Sequence, residues 1–357
     1  MHHCSEPNLA HYSASICQGV RKLRKFLSRF SWMLLVVWAS LTLTFILSRV
    51  IPADPARLAA GLEAGPEQVL EVKRALGLDK PLIIQYLTYL KNISHLNLGD
   101  SIQTRQPVLK DIVQYLPVTL ELVFISFFIY AILGVLFGVL WARFPKSPFS
   151  KILSFTSILG IAMPVFWVGL LLQLIFASKL QWLPLAGSLQ YQNYDMTRFT
   201  GMGALDSLLS WNFEALKDAS LNLVLPVTTL VISQIAIATR LTKSTVEVEL
   251  RQHYVRTARS RGIPEWKITI FDALRNALNP VVTMLGLQFG WLFGGTILVE
   301  VIFSWPGLGL YAFNAFRTFD YNPILAITLV ITVTFVVVNE LVALLYPILD
   351  PKLKDRR

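Results

Sequence analysis

Six blocks of this chain are long, apolar and almost free of charge, and they decide what it can fold into. They run Trp32–Ile51, Val118–Ala142, Leu153–Ala177, Leu221–Ala238, Val281–Phe303 and Ile324–Tyr346. A helix crossing the ~30 Å hydrocarbon core needs about 20 mostly apolar residues. Lipid offers no partner for an unpaired backbone amide, so such blocks must be helical, and the alternating pattern of a membrane barrel is absent. Composition agrees: of 357 residues, 54% are hydrophobic and only 15% charged, against about 25% charged in soluble chains, with a mean hydropathy of +0.55. Length alone would suggest about two domains, but the apolar surplus is gathered into the six blocks. The first block is too long for a signal peptide, and no small-residue cleavage site precedes Val50-Ile51-Pro52.

The formal net charge of +10 follows topology rather than nucleic-acid binding. Arg21, Lys22, Arg24, Lys25 and Arg29 precede the first block, and Arg143, Lys146 and Lys151 fill the loop after the second. Arg240–Arg275 holds eight Lys or Arg residues, and Lys352, Lys354, Arg356 and Arg357 close the chain. The short loop Ser304–Tyr321 holds only Arg317. Basic loops mark the cytoplasmic side. The expected organisation is therefore all-α with six transmembrane helices and both termini cytoplasmic. It divides into a cytoplasmic extension at 1–31, a first span at 32–51, an extracytoplasmic helical segment at 52–116, a core at 117–349 with five spans, and a cytoplasmic tail at 350–357. Cys4 and Cys17 fall on the reducing side, where a structural disulfide is not expected. His2, His3 and Cys4 read as an unstructured tail rather than a metal site.

Two segments outside the spans are long enough to fold. In 52–116, Pro66 suits a first helical turn, Glu67 complements the helix dipole and Gly77 closes the helix. Leu82, Ile83, Tyr86, Leu87 and Leu90 pattern a second short helix. Lys179–Asp218 reads as loop with an amphipathic stretch near Leu205–Leu216.

The most informative segment is 240–279, cytoplasmic by charge and too polar to span. Gly262 suits the left-handed residue that ends a helix, and Pro264 with Glu265 suits the start of the next. The following helix is expected to place Trp266, Ile270, Leu274 and Ala277 on one face. A short helix, a sharp corner and an amphipathic helix are therefore expected at the membrane surface. Pattern leaves two readings open: a basic interfacial helix held by anionic lipid, or a docking element for a cytoplasmic motor.

Tyr254-Val255-Arg256-Thr257-Ala258-Arg259-x-x-Gly262, followed by Ala273-Leu274-Arg275-Asn276-Ala277-Leu278-x-Pro280, resembles the signature of ATP-binding-cassette importer permeases, in particular the peptide/nickel (dipeptide and oligopeptide first-permease) branch. Further matches stand in order along the chain. They include Ile51-Pro52-Ala53-Asp54-Pro55-Ala56, Leu76-Gly77-Leu78-Asp79-Lys80-Pro81, Gly99-x-Ser101 and Thr119-Leu120-Glu121-Leu122. Pro164-Val165-Phe166-Trp167, Glu300-Val301-Ile302-Phe303-Ser304-Trp305-Pro306-Gly307-Leu308-Gly309 and Asp350-Pro351 complete them. The departures are Ala53 where Gly is usual, Arg256-Thr257-Ala258 where the general loop has Glu-Ala-Ala, and Ala343 where an acid is frequent.

The resemblance implies a permease subunit of the bacterial inner membrane. A second homologous permease would complete the pore, two ATP-binding-cassette ATPase subunits would dock beneath it, and an extracytoplasmic binding protein would deliver solute. Tyr254, Arg256, Thr257, Ala258, Arg259, Gly262 and Pro264 would form the ATPase-coupling loop. ATP and magnesium would bind the partners, with no cofactor, metal or catalytic residue on this chain. Di- and oligopeptides lead among solutes; nickel chelates, antimicrobial peptides and haem stay open. The chain itself lacks a phosphate-cradling Walker loop.

Polar residues within spans are functional candidates: Glu121, Gln173, Gln234, Gln288, Glu300 and Asn339. For Glu121, Gln288 and Glu300, lining of a path or gate competes with anchoring of helix ends by hydrogen bonds. Pro164 and Pro226 are candidate kinks. Gly286, Gly290, Gly294 and Gly295 form a small-residue face expected at a permease–permease interface. Gly307 and Gly309 are expected to supply unusual backbone angles. The rival class is a stand-alone secondary transporter or channel, which needs no docking segment. An intramembrane enzyme fares worse, since no paired acids, metal-ligand cluster or nucleophile–base set is present.

Overall fold

The structure, a computed structural model, describes residues 8–50, 57, 60, 64–75, 77–189, 191–194 and 196–349, with side chains over 27–48, 57, 60, 64–74, 77–189, 191–194 and 196–342. The motifs at 51–56 and 350–351, the histidines and first cysteine of the N-terminal tail, and the final basic cluster lie outside the described residues.

Twelve helices follow one another among the described residues, and no strand is formed. They are α1 (Asn8–Val50), α2 (Pro66–Ala75), α3 (Leu82–Ser94), α4 (Val108–Arg143), α5 (Pro148–Ala162) and α6 (Val165–Leu172, widening into a π turn over Gln173–Lys179). Then come α7 (Gly203–Leu209), α8 (Phe213–Leu250), α9 (His253–Ser260), α10 (Glu265–Ile302, with a π turn at Ile268–Leu274), α11 (Leu308–Arg317) and α12 (Tyr321–Leu349). Five of them, α1, α4, α8, α10 and α12, are long and apolar enough to cross a membrane alone.

The third expected span differs. Leu153–Ala177 is not one rod but α5 and α6, bent by 108°. Met163 (ψ 124°) and Pro164 (ψ 138°) are extended at the break. The proline ring disfavours helical geometry at the residue before it and takes away an amide donor, so the chain turns. Counted as one broken span, the pair brings the total to six. Pro226, by contrast, is accommodated inside α8.

The bundle is organised around α4 and α8, which share the most extensive packing. The contact is close because Gly134 and Gly138 face Ala238 and Thr242. A Cβ at Gly134 would lie 2.6 Å from the Ala238 Cβ, and one at Gly138 would lie 2.5 Å from the Thr242 Cβ. Small residues let backbones approach where no hydrophobic drive exists between lipid-bathed helices. α10 packs across this pair, α12 packs on α10, and α1 lies outermost on α12. Leu122, Tyr130, Leu230, Phe289, Leu292 and Trp305 sit in the shared core. The outward faces keep large apolar side chains exposed: in the apolar stretch of α1 only 11% of residues are buried.

The glycine face of α10 meets this chain's own last helix. A Cβ at Gly286 would lie 2.7 Å from Val342, and one at Gly290 would lie 2.1 Å from the Phe335 ring. The expected permease–permease role is thereby corrected for these two. The Leu205–Leu216 stretch is likewise two elements: α7 ends at Leu209, and Asn212 caps α8 by accepting from the Ala215 amide at 3.0 Å.

Candidate functional site

The corner between α8 and α10 is built in three steps. α9 is amphipathic: Val255 and Ala258 are buried against Ile268 and Leu250, while Tyr254, Arg256, Thr257 and Arg259 are exposed. The chain then reverses at Gly262, whose φ is +74°. The Gly262 amide donates to Arg259 O (3.0 Å) and the Ile263 amide to Ala258 O (3.2 Å), which satisfies the last carbonyls of α9. Nothing lies within 4 Å of a Cβ built on Gly262, so backbone conformation alone requires glycine there. Pro264 (φ −65°, ψ 138°) then caps α10.

Glu265 braces this corner. Its Oε1 accepts from Arg259 Nε at 2.6 Å, and its Oε2 from Arg143 Nη1 at 3.2 Å and Arg259 Nη2 at 3.3 Å. One carboxylate thus ties both limbs of the corner to the last residue of α4. Tyr254 donates to Glu249 Oε2 at 2.7 Å. Its phenol is pushed up to about 12, by burial first and with that hydrogen bond adding to the shift, so it stays a neutral donor.

Of the seven loop residues expected to dock, six are exposed. Ala258 is turned inward, and its small size lets α9 lie against Ile268. The predicted face of α10 holds for Leu274 and Ala277, which pack inward, and is corrected for Trp266 and Ile270, which are exposed; Ile268, Thr269 and Ala273 are buried instead. The π turn adds a residue to the helical register and rotates the apolar face away from the regular 3.6-residue prediction.

At the other end of α4, two buried carboxylates hold helix starts. Glu121 accepts from the Gly203 amide at 3.1 Å and the Ala204 amide at 2.6 Å, at the beginning of α7. Glu300, fully buried, accepts from Thr119 Oγ1 at 2.7 Å and from the Leu310 amide at 2.9 Å. Thr119 Oγ1 in turn accepts from the Leu308 amide at 2.8 Å. Each carboxylate lies where free amides and the helix dipole favour an anion. Gly307 and Gly309 serve this joint by close approach, not by unusual angles. Cβ atoms there would lie 2.6 and 2.8 Å from Glu300 Oε2, and the positive φ of the turn (+48°) falls on Ser304.

Gln288 is different. Its Nε2 faces Gln234 Oε1 at 3.4 Å, a long contact, and its buried Oε1 has no partner among the described residues. Gln173 donates to Leu185 O (2.9 Å) and Ile302 O (3.2 Å), and Asn339 to Phe335 O of its own helix (2.8 Å). No group of three or more metal-ligating side chains forms among the described residues.

Sequence reasoning missed several positioning residues. Asp206 accepts from the Thr200 amide (2.8 Å), the Gly201 amide (2.9 Å) and the Tyr191 hydroxyl (3.0 Å). Asp320 accepts from Ser101 Oγ and the Ile102 amide, each at 2.7 Å. Asp111 accepts from Thr104 (2.6 Å) and Tyr311 (2.7 Å). The Gly99-x-Ser101 motif signals a loop anchored by the serine but carries no sign of its distant partner.

Comparison with known proteins places this architecture. Residues 134–355 match the family described as binding-protein-dependent transport system inner membrane component, and 22–123 match the N-terminal part of such membrane components. A probable D,D-dipeptide transport system permease of Escherichia coli K12 is 37% identical over 90% of this chain and 94% of its own. A dipeptide transport system permease of Alkalihalophilus pseudofirmus is 37% identical over 87% and 93%. A di/tripeptide transport system permease of Pseudomonas aeruginosa is 37% identical over 93% and 99%. The self-braced corner, the apolar helices and a family match over more than half the chain lead to one conclusion: this protein belongs to the inner-membrane components of binding-protein-dependent transport systems, as a multi-pass permease subunit and not an enzyme.

Proposed function

We propose that this chain forms half of the translocation pathway of an ATP-driven peptide importer, with six spans, both termini in the cytoplasm and the corner at Gly262 seated on a partner ATPase. The observation that carries the reading is the construction of that corner. Its inner face is packed, its two limbs are joined through Glu265, and Tyr254, Arg256, Thr257, Arg259, Gly262 and Pro264 are exposed. An element that must pass force needs such internal rigidity and a free outer surface, because only contacts that differ between two states can drive a change. Peptide as solute is supported by the three relatives' names, each a dipeptide or di/tripeptide system. A second permease, two ATPases carrying ATP and magnesium, and an extracytoplasmic binding protein complete the assembly.

Glu121 and Glu300 act in this reading by fixing α7 and α11 at the outer face, where a gate would close. Gln288, with a free acceptor, is the candidate for contact with water or solute.

Gly262→Trp tests the reading in the assembled complex in nanodiscs. Loss of at least 90% of the ATPase stimulation caused by loaded binding protein, with the permease pair still co-purifying, is expected. Full stimulation and uptake in this variant would remove the docking role.

A further inference from the structure

α3 belongs to the expected extracytoplasmic helical segment, and it packs directly against the first and last apolar helices. It is fixed at both ends. Gln85 Nε2 donates to Lys80 O at 2.7 Å, which shapes the entry. Asn322 Nδ2 donates to Asp100 O at 2.8 Å, which ties the exit to the first turn of α12. In between, Tyr86 and Tyr89 rest on α1. The Tyr86 hydroxyl is 2.6 Å from Thr42 Oγ1, and the Phe45 ring lies 5.3 Å from Tyr86 and 5.5 Å from Tyr89, centroid to centroid. Phe45 lies one turn before Arg49, the first charged residue after Arg29 along this block. Tyr89 also borders a small cleft with Asn322, Leu325 and Ala326, at the outer end of the last span. Two independent helices therefore put α3 at the same depth, at the boundary of the apolar layer.

Around the helix, the apolar arc is wider than the protein covers. Tyr86, Tyr89 and Ile93 recur at helical spacing on the covered side. Ile83 and Leu87, next to them on the wheel, are 63% and 58% exposed. Thr88, Lys91 and Asn92 occupy the remaining arc and are exposed, with Ile84 (44% exposed) among them. No α3 residue is fully buried. On α1, against which the covered side of α3 packs, Leu43, Ile46 and Leu47 also lack cover.

We infer that α3 is an interfacial helix that binds the outer-leaflet lipid surface. Ile83 and Leu87 sit at the acyl boundary, Tyr86 and Tyr89 at headgroup level, and Thr88, Lys91 and Asn92 face headgroups and water. An apolar strip with a polar strip opposite fits a plane with oil on one side and water on the other. Tyrosine favours that level because its ring is apolar and its hydroxyl polar. The inference does not depend on the importer reading.

Site-directed spin labelling tests it, on the complex in phosphatidylglycerol/phosphatidylethanolamine nanodiscs with Cys4 and Cys17 replaced by serine. Labels at Ile83→Cys and Leu87→Cys should be several-fold more accessible to molecular oxygen, relative to a water-soluble nickel chelate, than labels at Thr88→Cys and Lys91→Cys. All four positions are exposed, so none disturbs the packed core. Equal preference for the nickel chelate at all four overturns the proposal. So does immobilisation of the Ile83 and Leu87 labels with access to neither reagent, which would mean that a protein partner covers the strip.

Discussion

Thr119 and Glu265 show what single side chains contribute. The Thr119 hydroxyl donates to Glu300 and accepts from the Leu308 amide, so one atom satisfies two buried groups. Thr119→Val keeps the shape and leaves a carboxylate and an amide short of partners, at a cost of about 1–3 kcal/mol per unsatisfied group. A fall in the thermal midpoint of the purified protein is expected, with Thr119→Ser close to wild type. Glu265 makes the opposite case. Its partners are partly exposed, Arg259 at 43% and Arg143 at 31%, and such pairs are worth only about 0.2–1 kcal/mol each. Glu265→Gln is therefore expected to leave the thermal midpoint nearly unchanged. It should lower ATPase stimulation by loaded binding protein several-fold, because it frees the corner from α4. A double cycle of Arg143→Ala with Glu265→Ala should show effects on stimulation that do not add. Additive losses would mean that the two residues act separately. Glu121 and Glu300 were visible in the sequence as charges in apolar surroundings, but the Gly203 amide stands 82 residues from Glu121 and the Thr119 hydroxyl 181 residues from Glu300. No local pattern encodes a contact at that separation.

Elements were legible where one local rule governs them. Apolar length marked the spans, Pro66 and Gly77 bracketed α2, and Gly262 with Pro264 marked the corner, because caps and turns are decided within a few residues. One feature was half visible and one escaped. Pro164 was legible as a candidate kink, but the 108° bend replaces one expected rod with two, and a proline inside an apolar run does not say whether its helix will kink or break; Pro226 is absorbed where Pro164 is not. The π turn of α10 moves its buried face, which a regular 3.6-residue period cannot anticipate. The glycines of α10 offer a test at this scale. Gly290→Ala puts a Cβ 2.1 Å from the Phe335 ring, and overpacking of this kind costs about 1–3 kcal/mol. Gly294 faces open space, where alanine favours the helix by up to about 1 kcal/mol. Thermal unfolding should separate the two variants in opposite directions, and Gly290→Ala combined with Phe335→Ala should recover part of the loss.

At the scale of the whole molecule, α4 runs unbroken from the joints at Thr119 and Glu121 to Arg143 beside the corner, a rise of about 36 Å at 1.5 Å per residue. Orientation in the membrane is the prediction that belongs here. In a background without Cys4 and Cys17, a membrane-impermeant maleimide should label Leu209→Cys in right-side-out vesicles and Arg261→Cys only in inverted ones. The reverse pattern would turn the topology, and the docking role with it, upside down. The sequence by itself determined that the chain is a helical membrane protein, where its basic loops lie and which family it resembles. Hydropathy, charge and turn chemistry act over one helix at a time, so they survive in the linear order. Only the tertiary structure decided that Glu121 and Glu300 hold α7 and α11, that Glu265 joins the corner to α4, that Gly290 packs on Phe335 and that α3 rests on α1. Those outcomes depend on which helices become neighbours, and that is settled by close packing between residues far apart in the chain.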